Sequence, residues 1–159
     1  MIAQFSAILL ACSVAIAVLP GCGDTPSTED ALAVSAEAMC LVFPPSTRVL
    51  GYYHAKDPAN RRFEIIPSPD DAIWLKSEMD RKDVEAFLAT SPLAGKTLTQ
   101  TDRGMIGILP GQSWWDADRP GHFRTGRAAL PQAGAGYLDI LIDMDGGERA
   151  TVYLMWYTT

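Results

Sequence analysis

Residues 138–156 read LDILIDMDGGERATVYLMW, and their alternation decides the fold. Leu138, Ile140, Ile142 and Met144 fall on one side of an extended chain, and Ala150, Val152, Leu154 and Trp156 on one side of the next. Successive side chains of a strand point to opposite faces, so each arm carries an apolar face. Between the arms, Asp145-Gly146-Gly147 supplies residues that tolerate positive φ. The pattern predicts a C-terminal β-hairpin with one face turned to a core.

Working back from the hairpin, Ala72 to Met79 alternates in the same way, Ile73, Leu75 and Met79 against Trp74, Lys76 and Glu78, and predicts a second strand region. Thr47 to His54 predicts another, with Val49, Gly51 and Tyr53 on one face and Leu50, Tyr52 and His54 on the other. Residues 55–71 read as a long polar loop in which Phe63–Ile66 could form a short strand. Two helices are expected. In the first, Ser27 caps, Asp30 favours the first-turn amides, and Leu32, Ala36, Met39 and Phe43 form an apolar stripe that Pro44-Pro45 stops. Cys40, beside that stripe, is expected to be a buried, inert thiol. In the second, Asp80 caps, Asp83 sits in the first turn, Val84, Phe87 and Leu88 face the core, and Ser91-Pro92 ends the run. Residues 93–104 read as a polar connection, Met105–Leu109 as a short apolar strand and residues 110–135 as irregular chain. No repeat occurs at a fixed period. The order implies an α+β domain over residues 31–159: an antiparallel sheet that ends in the hairpin and is covered on one face by about two helices.

The chain begins differently. Of its 159 residues, the first 21 contain no Lys, Arg, Asp or Glu, so the net charge of −6 belongs to the remainder. An acidic body with no dense basic cluster repels phosphate backbones, and nucleic acid is not an expected partner. From Phe5 to Leu19 runs FSAILLACSVAIAVL, without a charge. A spanning helix needs roughly twenty apolar residues, whereas the core of an export signal needs about seven to fifteen. Leu19-Pro20-Gly21-Cys22 follows at once.

This leader resembles the lipobox signal peptide of bacterial lipoproteins, with an aliphatic residue at Leu19, a small residue at Gly21 and the cysteine at Cys22. Pro20 and the absence of Lys or Arg from residues 1–5 depart from the family pattern. The resemblance covers the leader alone. It implies cleavage after residue 21, lipidation of Cys22, a flexible tether over residues 22–30, and attachment to a bilayer outside the cytoplasm, in the bacterial cell envelope. Gly23 follows the cysteine instead of the Asp that favours inner-membrane retention, so the resemblance points to the outer membrane where two membranes exist. One acyl chain binds a bilayer marginally, and two or more bind it stably.

The mature part shows no recognisable catalytic set. Of three cysteines, Cys12 lies in the leader, Cys22 closes it, and Cys40 alone remains, which excludes an internal disulfide and zinc sites built on paired cysteines. His54 and His122 are far apart and lack metal-ligand spacing; no G-x-S-x-G elbow or phosphate-binding glycine loop occurs, and Ala133-Gly134-Ala135-Gly136 is too short for one. No metal and no cofactor is expected. Asp143, Asp145 and Glu148 read as a solvated acidic turn, without the ligand spread of a calcium loop.

The remaining unusual stretch is Ser113-Trp114-Trp115-Asp116-Ala117-Asp118-Arg119. Adjacent indoles in a loop either pin it to a core or offer flat faces that stack on sugars, while Asp116 and Arg119 could bond hydroxyls. Trp114, Trp115, Asp116 and Arg119 are therefore candidate binding residues, with cell-wall glycan or an envelope protein as partner. The sequence favours a non-enzymatic binding or interaction domain. The alternatives are a carboxylate-based envelope hydrolase and an inhibitor or assembly factor for a protein partner.

Overall fold

A computed structural model describes residues 27–55, 71–104, 106–107, 109, 111–130 and 136–158. The lipobox at Leu19, Gly21 and Cys22, the segment Phe63–Ile66 and residues 133–135 lie outside the described residues. Helix α1 spans Thr28–Met39, β1 Arg48–His54 and β2 Ala72–Asp80; one 3-10 turn, Arg81–Asp83, leads into α2, Val84–Ala89. Four strands follow: β3 Thr99–Arg103, β4 Pro120–Leu130, β5 Gly136–Asp143 and β6 Arg149–Thr158. They form one antiparallel sheet in the order β1-β2-β6-β5-β4-β3. The last four make a meander, and β6 returns beside β2. Among the described residues no helix is long and apolar enough to cross a membrane.

The expected α+β class holds, and β5 and β6 pair as a C-terminal hairpin, with Leu138 opposite Trp156, Ile140 opposite Leu154 and Ile142 opposite Val152. These side chains join Ile73, Leu75 and Met79 of β2 on one face, where Met39, Val84, Phe87 and Leu88 from the two helices pack against them. Phe87 also stacks on Phe43 at 5.7 Å between ring centroids. Burying each large aliphatic side chain of this kind is worth about 1.5–3 kcal/mol before entropy is counted. At the lower end of the sheet Arg149 joins the elements, donating to Asp80 Oδ1 at 2.9 Å and to the Ser46 carbonyl at 2.9 Å.

Several expectations fail in instructive ways. The Ser27 cap is present, accepting from the Asp30 amide at 3.1 Å, but α1 turns Ala31, Ser35 and Met39 into the protein. The Leu32–Ala36–Met39–Phe43 stripe is therefore rotated, and Leu32 is only half-buried, because small residues let the helix lie close to the sheet. Helix α1 ends before Pro44-Pro45. Cys40 takes a left-handed φ of 53° and donates its N–H to the last carbonyls, which aims its thiol outward: the residue is exposed and not the buried thiol expected. In β1 a bulge lies between Val49 and Gly51, so Val49 and Tyr52 pack with the helix-side cluster while Gly51 and Tyr53 face the other way. The polar connection 93–104 contains β3, and the irregular stretch 110–135 contains β4, the longest strand described. Ile106, Gly107 and Leu109 lie in no strand.

Candidate functional site

The face of the sheet turned away from the helices is covered in part by the chain between β3 and β4. Gly104 leaves the bottom of β3, and Ile106, Gly107, Leu109 and residues 111–119 pack across this second face. They then return so that the Gly104 amide donates to the Arg119 carbonyl at 3.1 Å, as in an Ω-loop with joined ends. A side chain at Gly104 has no room: its Cβ would lie 1.8 Å from the Ala117 carbonyl oxygen. Ile106 and Ala117 cover Phe123, Leu141 and Tyr153 in one apolar cluster, and Leu109 packs with Tyr53, Ala55, Ala72 and Trp74 in another.

All four candidate binding residues lie on this loop. The Trp114 ring covers Gly51 so closely that a Cβ there would lie 2.2 Å from it. Trp115 meets Trp114 edge to face at 5.7 Å and Tyr153 edge to face at 5.5 Å, and its Nε1 donates to the Gly107 carbonyl at 2.7 Å. Both indoles are half-buried. Asp116 Oδ1 accepts from Lys76 Nζ at 2.6 Å and from the Tyr153 hydroxyl at 2.7 Å. Arg119 pairs with Asp143 and lies 5.3 Å from the Phe123 ring. Sequence reasoning found the loop half of this cluster and missed Lys76, Tyr153 and Asp143, which come from three different strands. Asp143 also corrects the reading of a solvated acidic turn, since it is buried and its Oδ1 accepts from the Asp145 amide at 2.9 Å.

The environment sets the protonation of the cluster. Burial, reinforced by the hydrogen bond to Asp116, pushes the Tyr153 phenol well above its ordinary value. Burial works against the charge of Asp116 as well, but the bonds from Lys76 and Tyr153 outweigh it and hold the carboxyl below the usual carboxylate range. At neutral pH the cluster is thus an ionised Asp116 shared by a cation and a protonated phenol. That arrangement is a latch between loop and sheet.

The two histidines lie elsewhere. His54 Nε2 is 2.8 Å from Asp71 Oδ1 at the top of the sheet, and His122 Nδ1 is 2.8 Å from Asp145 Oδ1 at the bottom. Among the described residues no group of three or more His, Cys, Asp or Glu side chains could hold a metal ion. An open depression of about 460 Å³ beside β3 and β4 is lined by Gln100, Thr101, Asp102, His122, Phe123, Arg124 and Met144. Asp102 is the one carboxylate in that lining. No family model, no characterised protein and no solved structure matches this chain.

Proposed function

We propose that the chain is a lipid-anchored protein of the bacterial cell envelope whose folded domain binds a partner without transforming it. The anchor rests on the uncharged run Phe5–Leu19 and on Leu19-Pro20-Gly21-Cys22. The observation that carries the binding half is the latch itself. The polar groups gathered on the loop face are bonded to one another, with Asp116 poorly basic and Tyr153 held protonated, so they fix a surface and leave no free acid–base pair. The loop that carries Trp114 and Trp115 is held where Gly104 meets Arg119 and again at Trp114, Trp115 and Asp116, and a rigid aromatic surface loses little entropy on binding.

Two measurements test the two halves. Intact mass of the membrane form should show a chain that begins at Cys22 and carries a diacylglyceryl group, and Cys22→Ser should move the protein out of the membrane fraction. An unmodified chain beginning at Met1 overturns the anchor. For binding, wild type and the Trp114→Ala/Trp115→Ala variant are used to recover partners from envelope extracts and from purified peptidoglycan, with circular dichroism confirming that both are folded. Equal recovery of every partner removes the indole loop from the binding surface.

A further inference from the structure

The loop leaves one corner of its face uncovered. In the top row of that corner, Ala129 of β4, Tyr137 of β5 and Tyr157 of β6 lie opposite one another; in the row below, Arg127 lies opposite Asp139, and Asp139 opposite Met155, which Gly107 of the loop covers. Residues directly opposite across antiparallel strands share a face, so these side chains form one surface. Leu109, Trp114 and Trp115 pack with Trp74 in a cluster that reaches Met155 and the half-buried Tyr157 of β6, while Ala129, Tyr137 and Arg127 are exposed. Tyr137, at 37% exposure, is one of the few large apolar side chains that the described fold leaves open.

The chemistry of the corner is specific. The Tyr137 and Tyr157 rings lie 5.8 Å apart and 30° from parallel, a tilted aromatic pair of which Tyr137 is the exposed member. Arg127 donates through Nε and Nη2 to both oxygens of Asp139, at 2.5 and 2.8 Å, and its guanidinium carbon is 5.9 and 6.0 Å from the two ring centres. The ion pair cancels its own charge, so the corner has no net attraction for an ionic ligand. Arg127, held by the mostly buried Asp139, still offers further N–H donors beside the exposed Tyr137 ring. A peptide strand could not add itself here, because β4, β5 and β6 are each paired on both sides. A sugar ring has the complementary pattern: an uncharged body, an apolar C–H face and a rim of hydroxyls.

We infer that this corner is the binding surface for a neutral polysaccharide, the exposed Tyr137 stacking on a sugar face beside Tyr157 while Arg127, held in place by Asp139, donates to hydroxyls. The inference rests on the binding reading above, names its ligand class and moves the principal contact from the indoles to the tyrosines. The test is calorimetric titration of the detergent-solubilised full chain with chitohexaose, cellohexaose and maltohexaose. At least one should bind saturably, with an affinity that changes little between low salt and about 0.5 M. Tyr137→Ala and Arg127→Met should each weaken it about tenfold, equivalent to about 1.4 kcal/mol. Lys82→Ala, on the opposite side of the molecule, should leave it unchanged. Both binding-site side chains are exposed, and matching thermal unfolding of the variants shows that the fold is intact. Binding of none of the three sugars, binding indifferent to Tyr137→Ala, or affinity that collapses with salt would each overturn the inference. Recovery of an envelope protein by a chain that binds no sugar keeps the binding reading and removes this one. Sugar binding by a chain that carries no lipid keeps this one and removes the anchor.

Discussion

The helix face and the loop face of the sheet bury side chains of different kinds. On the first, Ile73, Leu75, Ile140, Ile142, Val152 and Leu154 meet Met39, Phe87 and Leu88 from the helices, and nearly every contact is aliphatic or aromatic carbon. On the second, apolar clusters around Tyr153 and Trp74 are interleaved with Lys76, Asp116, Arg119 and Asp143. The first face draws its stability from apolar area, which is non-directional and independent of any side chain's protonation state. The second depends on a latch that needs named partners in named protonation states. The loop face should therefore open before the helix face does.

The largest effect that tests this contrast lies on the helix face. Leu154 is fully buried at the centre of β6, and Leu154→Ala should cost about 2–5 kcal/mol by denaturant unfolding, through lost transfer energy and the cavity left behind. Loop and sheet should be lost together in that variant, because removing the main core leaves nothing for the loop to cover. Gly104→Ala should cost less, about 1–3 kcal/mol, by forcing a methyl group against the Ala117 carbonyl where the loop ends meet. Its signature should be local: hydrogen exchange should accelerate at Gly104 and Trp115 while the β5–β6 amides keep their protection. If those amides lose protection equally, the loop is part of the same cooperative unit and the two faces do not differ as argued.

The same contrast explains what could be read in the sequence. The aliphatic face was legible because its period-2 pattern in β2, β5 and β6 is uninterrupted. Strand β4 was not, because PGHFRTGRAAL serves a helix face partly built from Gly126 and a loop face that is open at Arg127 and Ala129, so its alternation is weak. Strand β3, TQTDR, is an edge strand with exposed side chains in nearly every place, and it carries no apolar period at all. Cys40 was misread because helical periodicity says nothing about a residue that leaves the helix in a left-handed conformation. For the candidate site, Trp114-Trp115-Asp116 announced itself by composition. The partners that give those residues a role come from β2, β5 and β6, and only the sheet order brings Lys76, Asp143 and Tyr153 under the loop.

Acid provides the gentlest way to separate the faces. Asp116 has a folded pKa below its unfolded value of about 3.9, so its contribution is fully present above that pH and is lost as pH falls through the folded value. Its side chain is about half exposed, at 49%, and solvent screening keeps the contribution below about 1 kcal/mol. Tyr153→Phe removes one of the two donors that hold the carboxylate ionised while leaving the ring in place. The folded pKa of Asp116 should then rise toward its ordinary value, and loosening of the loop, followed by tryptophan fluorescence to which Trp114 and Trp115 contribute, should begin at higher pH than in wild type. Far-UV circular dichroism, which reports the sheet, should not move over the same range. Coincident fluorescence and dichroism transitions in both proteins would mean that the latch contributes nothing separable. The loop face would then be held, like the helix face, by its apolar clusters alone.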